Sequence, residues 1–337
     1  MLGLVRMRFA VKANRNPALL RHLAANDVGA DVASAAEMTA AEDAGMRPVS
    51  LTTPALGETL MLRATNSGCE VDLDSLSQVE RWGRSRLPRE IGLRLRVPID
   101  PANRGDAPGA RWSRFGVDPA DRRLHEALQR HDLRVVRLHI HPGEYRDENR
   151  ARNLAVLVAS VLELFPAVAT VNLGGGLTYL YADRARARAA FAAMAEAFDR
   201  SGHTPAWVFE PGMLLSALAG YLMVRVVDAG EHPDGHRLAS LDASAWNLAT
   251  WARPRIAAAF PAREGDPEPH WLAGCTCYEQ DYFSREVTSP ALQEGDRLLL
   301  TGFGAYAASM ARSGHGYSVP TEWTMRDGRI FPEALGE

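Results

Sequence analysis

The chain contains 38 lysine and arginine residues, and Lys12 is the single lysine among them. Arginine replaces lysine readily on a solvated surface, but its guanidinium keeps its proton and cannot condense with a carbonyl compound. A retained amine is therefore a candidate for imine chemistry, although drift toward arginine with one survivor accounts for the count equally well. Other residues with chemical potential are His139 and His141 in Leu-His-Ile-His-Pro-Gly, the triplet Gly174-Gly175-Gly176, Glu210 in Phe-Glu-Pro-Gly, Arg96, and Asp31 with Ser34. Three glycines ahead of a helix let backbone N–H groups close on an anion, and a carboxylate or imidazole can address a planar, nitrogen-containing ring. Singly, each has a plainer account: a strand histidine is usually a satisfied structural residue, and a glycine triplet is usually a tight turn.

The elements that must hold these residues read as a βα repeat. Strand-like runs fall at 8–13, 30–34, 49–53, 70–74, 92–97, 135–141, 170–173 and 207–210. Helical periodicity falls between them at 17–26, 35–44, 58–66, 76–84, 119–131, 149–164 and 184–199. Eight strands alternating with helices predict a parallel (β/α)8 barrel of the TIM type, in which side chains at the carboxyl ends of strands share one face. An open doubly wound sheet is the alternative. On the barrel reading Lys12, Asp31, Arg96, His141, the glycine triplet and Glu210 all end strands, and separate bland causes need not place them on one rim. The triplet also follows the seventh strand, where barrel phosphate sites are frequent.

Beyond residue 212 the pattern changes to strands separated by turns, at 221–227, 238–242, 285–288 and 297–300, with exposed loops expected at 229–235 and 261–269. The expected organisation is a barrel domain over 1–215 and a mainly-β domain over 216–337. A formal charge of -3 with interspersed signs offers no basic stripe for nucleic acid and no polybasic tail for a membrane. Three cysteines, no signal-like start and no twenty-residue apolar run lead to the expectation of a cytoplasmic chain that acts on a small molecule. No metal site is expected.

A lysine for an imine, a histidine against a ring, an anion cradle and a carboxylate for a ring nitrogen are the parts a pyridoxal phosphate site needs. The chain resembles the fold-type III, alanine racemase-like barrel decarboxylases that use this cofactor, the group of diaminopimelate, ornithine and arginine decarboxylases. The resemblance is carried by Phe9-Ala-Val-Lys-Ala-Asn14, Gly29-Ala-Asp-Val-Ala-Ser-Ala-Ala-Glu37, Leu95-Arg-Val97, Ser113-Arg-Phe-Gly116 and Leu138-His-Ile-His-Pro-Gly143. It continues through Asn172-Leu-Gly-Gly-Gly176, Phe209-Glu-Pro-Gly212, Cys277 with Asp281, and Gly304-Ala-Tyr-Ala-Ala-Ser-Met310, in the family's order.

That resemblance implies that Lys12 anchors pyridoxal 5'-phosphate, His141 stacks on its ring and Glu210 pairs with its nitrogen. Gly174, Gly175, Gly176 and Tyr306 would hold the phosphate, while Asp31, Arg96 and Glu37 would support ring and lysine. Cys277 would reach the site from the second subunit of a homodimer and return a proton to the α-carbon. Asp242, Tyr278, Asp281 and Arg253 would face the substrate, an amino acid. Asp242 reads equally well as a turn residue.

Four departures from the family bear on the substrate. The arginine expected after Glu-Pro-Gly is Met213, and the small hydroxyl residue expected after His-x-Gly is Glu144. Tyr278 stands where an acid or small polar residue usually contacts the substrate, so an amine-tailed substrate loses a partner. The chain also begins close to Lys12, so the barrel is expected to lack its amino-terminal helix, through a start upstream of Met1, a cover supplied by another chain, or an exposed apolar strip. The implied activity is decarboxylation of an amino acid or amino-acid conjugate, as in secondary metabolism or siderophore assembly. Racemisation and an impaired cofactor-binding homologue are the alternatives, and Cys277 in place of a tyrosine base counts against racemisation.

Overall fold

Runs such as Gly29-Ala-Asp-Val and Val49-Ser-Leu are buried at every position, as parallel strands covered on both faces must be. In the computed structural model, which describes residues 5–98, 111–248 and 253–332, they belong to an eight-stranded closed barrel. Its strands are β1 (Val5–Ala10), β2 (Gly29–Val32), β3 (Val49–Leu51), β4 (Glu70–Leu73), β5 (Glu90–Arg94), β6 (Arg134–His139), β7 (Thr170–Asn172) and β8 (Ala206–Phe209). Each pairs in parallel with the next, and β8 closes on β1 through Val5 opposite Trp207 and Met7 opposite Phe209. Closure removes the open-sheet alternative.

The crossovers are α1 (Pro17–Ala24), α2 (Ala35–Asp43), α3 (Glu58–Asn66), α4 (Leu76–Arg84), α5 (Arg122–Arg130) and α6 (Glu148–Leu162), then the short α7 (Thr178–Tyr181) and α8 (Arg184–Ser201). Ser34, Ser75, Asp121, Asp147 and Asp183 start their helices by accepting backbone N–H groups that have no intrahelical partner. The sequence places the ends of most barrel strands one to three residues too late. Val11 explains why: it is fully buried, so the apolar pattern runs on after ladder pairing has stopped, and Lys12 lies in a 3-10 turn, Val11–Ala13. Outside β1 and α8, Val5, Met7, Phe191 and Phe209 line an open, largely apolar groove of about 1400 Å³.

The residues cluster into two compact units, one of Met1–Val11 with Leu19–Pro211, the other of Lys12–Ala18 with Gly212–Glu337. The second unit opens with α9 (Met213–Ser216) and holds β9 (Tyr221–Glu231), β10 (Arg237–Leu241), α10 (Ala245–Leu248), β11 (Ile256–Phe260), β12 (Glu268–Ala273), β13 (Tyr282–Ser289) and β14 (Arg297–Thr301). These strands form one sheet in the order β11-β14-β9-β10-β12-β13, around a core that includes Leu222, Val224, Leu241, Leu272 and Leu298. A hairpin of β15 (Trp323–Arg326) and β16 (Arg329–Pro332) follows.

Two expected loops are corrected. β9 extends through Glu231 to pair with Arg237, and β12 starts at Glu268, inside the stretch expected as loop. Pro269 is tolerated because it precedes the residues paired with β10, so no bond of that ladder is lost. Among the described residues no helix is long and apolar enough to cross a membrane.

Candidate active site

In the barrel unit, the residues after β7 and β8 are tied to each other by side chains. Asn172, last residue of β7, donates through Nδ2 to Glu210 Oε1 and accepts the Gly174 N–H on Oδ1 at 2.9 Å. The Glu210 N–H in turn donates to the Gly174 carbonyl at 2.8 Å. Glu210, 5% exposed, is thus held by main chain and side chain together. The next residue of the triplet, Gly175, donates its N–H to His141 Nδ1 at 3.2 Å. An accepting Nδ1 puts the proton of a neutral ring on Nε2.

The triplet needs glycine for packing as well as for any ligand. Gly176 has φ +80, and a Cβ there would lie 2.0 Å from the Gly143 carbonyl oxygen; at Gly175 it would meet the Glu210 carbonyl at 2.7 Å. The turn is pinned from the other side by Tyr145, whose N–H reaches the Gly176 carbonyl at 2.7 Å and whose buried hydroxyl reaches the Leu173 carbonyl at 2.8 Å.

Glu144 does not point away from this turn. Its carboxylate lies beside the N–H groups of Thr178 and Tyr179 and the Thr178 hydroxyl, directly after the triplet, with Oε2 buried and without a hydrogen-bond partner among the described residues. Burial nevertheless pushes the Glu144 carboxyl up, against those donors and nearby Arg146.

The structure gives several expected site residues further contacts. Asp31, buried on β2, accepts the Ser50 hydroxyl at 3.2 Å. Ser34 caps α2 by accepting the Glu37 N–H, and Glu37 Oε2 reaches back to accept the Ala33 N–H, one residue before the cap, at 2.8 Å. Arg96 donates to the Gly116 carbonyl at 2.9 Å.

The second unit contains Lys12 and Tyr306. The Lys12 carbonyl accepts the Ser309 hydroxyl at 2.8 Å, the Ala13 carbonyl accepts the Tyr306 N–H at 2.7 Å, and Asn14 Nδ2 donates to the Gly304 carbonyl at 2.8 Å. The lysine turn is therefore clasped by the Gly-Ala-Tyr stretch, 290 residues away in sequence at the Asn14 contact. Cys277 is an exposed free thiol in the loop between β12 and β13. That loop is organised by Asp281, whose buried carboxylate accepts Thr276 N–H at 3.1 Å, Thr276 Oγ1 at 2.6 Å and Trp246 N–H at 3.1 Å.

Tyr278 packs against Trp246 and stacks on His315, with centroids 5.0 and 4.9 Å apart. Asp242 accepts the Arg225 N–H at 2.8 Å and lines a small pocket with Ser244, Asn247, Cys275 and Arg312. Arg253 makes a solvent-exposed pair with Glu286 at 3.2 Å. Met213 begins α9.

Pyridoxal phosphate asks for a ring-nitrogen partner, a ring support and an anion cradle. The first two are met within the barrel unit by the anchored Glu210 carboxylate and by the oriented His141. The cradle is partly engaged internally: Gly174 and Gly175 donate to Asn172 and His141, and the Glu144 carboxylate lies beside the N–H groups of Thr178 and Tyr179 beyond them. The residues fit the ring end of this cofactor, with an acid set among the donors at its phosphate end. Sequence reasoning missed Asn172 as part of the site, together with Asp72 and Thr52 beneath it. Asn172 carries a usable signal, since a polar amide two residues before a glycine is a common way to hold that glycine's N–H.

Residues 1–217 match the model for the pyridoxal-binding domain of the pyridoxal-dependent decarboxylases. The diaminopimelate decarboxylase of Deinococcus radiodurans is 31% identical over 98% of this chain and 86% of its own length. Among solved structures, the Helicobacter pylori diaminopimelate decarboxylase complexed with L-lysine superposes with a TM-score of 0.80 at 22% identity, over 98% of this chain and 88% of that one. The Paramecium bursaria Chlorella virus arginine decarboxylase bound to agmatine gives 0.78 at 20% identity, over 94% and 89%. At such identities these two structures bear on the fold, which is the same barrel followed by a β domain.

Proposed function

The chain belongs to the pyridoxal-dependent decarboxylases, amino-acid carboxy-lyases that take pyridoxal 5'-phosphate, and on that premise we propose that it removes the α-carboxylate of an amino acid or amino-acid conjugate at a site built on Lys12, His141 and Glu210. The observation that carries this reading is the interlocked set Asn172, Glu210, Gly174 and His141, which prepares a carboxylate and an imidazole for a protonated aromatic ring. When bound, the cofactor supplies a conjugated cationic ring that takes up the electron pair left by departing carbon dioxide. Glu210 holds a proton on the ring nitrogen, and His141 supports the ring face. Lys12 provides the amine that anchors the cofactor, with Tyr306 and the glycine turn toward its phosphate. The Cys277 thiol returns a proton to the α-carbon, acting on the site of the partner copy in a homodimer.

At the substrate's distal end, Asp281 is committed to Thr276 and Trp246, and Arg253 to Glu286. What remains is the second carboxylate oxygen of Asp242, whose first takes the Arg225 N–H, and the aromatic group of Tyr278 with Trp246. That favours a substrate whose tail is bulkier and less cationic than a free amine.

Incubating the protein with pyridoxal phosphate and candidate amino acids is expected to release carbon dioxide, and borohydride reduction to leave the cofactor's mass on the peptide containing Lys12. Inversion of the amino acid without gas, or a label elsewhere, overturns the reading. Glu144 supplies a second expected result. Glu144→Ser removes an acid from beside the Thr178 and Tyr179 N–H groups, so pyridoxal phosphate should bind on the order of 10-fold more tightly. Equilibrium dialysis measures this directly, and an unchanged Kd would remove Glu144 from the phosphate end of the site.

A further inference from the structure

Beneath Glu210 the barrel interior holds charged side chains that the reaction itself does not require. His139, last residue of β6, is 3% exposed. Its Nε2 lies 3.4 Å from Glu210 Oε2, and its Nδ1 lies 3.5 Å from Asp72 Oδ2 on β4 and 3.0 Å from Thr52 Oγ1 just past β3. We propose that His139 is a positioning residue of this site, fixing the Glu210 carboxylate from inside the barrel through an Asp72–His139–Glu210 chain. The inference rests on Glu210 being the ring-nitrogen partner.

The geometry sets the charge. Both ring nitrogens face a carboxylate oxygen, so the two contacts are attractive together only when both nitrogens carry hydrogen, which makes the ring an imidazolium. Burial works against that form, but Glu210 on one side and Asp72 on the other more than offset it and lift His139 to about 9. Asp72 is itself secured. Burial pushes its carboxyl up, yet Arg137, with Nε 3.2 Å from Asp72 Oδ1, and His139 hold it below the usual carboxylate range.

A cation that opposes His139 is Arg94 on β5, and it is drawn aside, its Nε 3.7 Å from Asp74 and its guanidinium over the Phe115 ring at 4.6 Å. Arg8 on β1 is engaged with Glu70 at 2.7 Å, Asp31 on β2 takes the Ser50 hydroxyl, and from β7 the neutral Asn172 amide faces Glu210. The buried Glu210 thus has an amide donor on one oxygen and a cation beside the other.

A buried carboxylate that loses its cation tends to take up a proton. Protonated, Glu210 could no longer keep a hydrogen on the ring nitrogen of the cofactor. His139 therefore sets the pH range over which Glu210 serves, without touching substrate.

Two measurements test this. In 15N-histidine spectra of the cofactor-free full chain, one imidazolium signal should persist past pH 8, vanish in His139→Gln and titrate at lower pH in Asp72→Asn. In the loaded enzyme, His139→Gln should keep the borohydride-trapped label on Lys12 yet lose on the order of 10-fold or more in kcat, as when a supporting partner is removed, with the acid limb of its pH profile moved upward. A His139 signal that titrates at or below pH 7, or a variant with an unaltered kcat and pH profile, overturns the proposal. Should His139→Gln fold poorly, Asp72→Asn supplies the same two readouts. A wild-type protein that takes no label on Lys12 speaks against the reading of the function instead, and the cofactor-free titration separates the two failures.

Discussion

Lys12→Arg is expected to lower carbon dioxide release by at least about 10³-fold while leaving the folded chain intact. The Lys12 side chain is exposed, and the contacts that hold its turn are main-chain ones: the Lys12 carbonyl with Ser309, the Ala13 carbonyl with Tyr306. Arginine preserves the positive charge and the length, so stability should change by no more than about 0.5 kcal/mol, as for a surface substitution. What it removes is an amine able to shed its proton and attack a carbonyl carbon. The chain already uses arginine at each of its other 37 lysine or arginine positions, so this substitution separates charge from nucleophilicity. Gas evolution, a thermal melt and mass analysis after borohydride reduction are the three measurements. Retained turnover, or a label still found on the peptide, would sink the assignment of Lys12.

The barrel was legible because each crossover repeats the same two signals, a short buried run and a capped amphipathic helix. Ser34 with Glu37 and Ser75 with Gln78 announce helices before any long-range contact is known. The β domain was less legible. Ile256–Phe260 is three alanines between two large residues and shows no alternation, and Pro269 reads as a breaker although it lies in β12, ahead of the residues paired with β10 and opposite Thr288 of β13. Asp327-Gly328 was an available hairpin signal, with φ 51 and 73 as a type I′ turn requires.

In the site, motif residues after the strands stood out as polar punctuation following apolar runs. Asp72, His139 and Asn172 belong instead to the strands, where polarity alone does not say whether a side chain faces the barrel axis or the helices. Register decides that: Arg94 stands opposite His139 and His139 opposite Asn172, and one sequence does not reveal register across strands 30 or more residues apart.

Glu210→Gln should lower kcat by about 10²- to 10³-fold, because an uncharged amide cannot stabilise a proton on the ring nitrogen, while leaving the Lys12 label in place. Its effect on folding follows from the same contacts. The amide oxygen can still accept from Asn172, but His139 loses one of its two carboxylates, at a cost of about 1–3 kcal/mol.

The sign of the pH dependence is set by His139. Its titration is raised from 6.5 to about 9, so its stabilising contribution is complete below 6.5 and is lost as pH rises through 9. Asp72, held below its ordinary 3.8, contributes above that value and does not titrate between pH 6 and 10. The stability gap between wild type and Glu210→Gln should therefore be widest near pH 6 and close by about pH 10, measured by urea unfolding across that range. In Glu210→Gln/His139→Gln the two losses should not add, with a coupling of about 1–3 kcal/mol at pH 6. Additivity at that pH would mean that the 3.4 Å approach of His139 to Glu210 contributes nothing, and the chain from Asp72 to the site would have no energetic content.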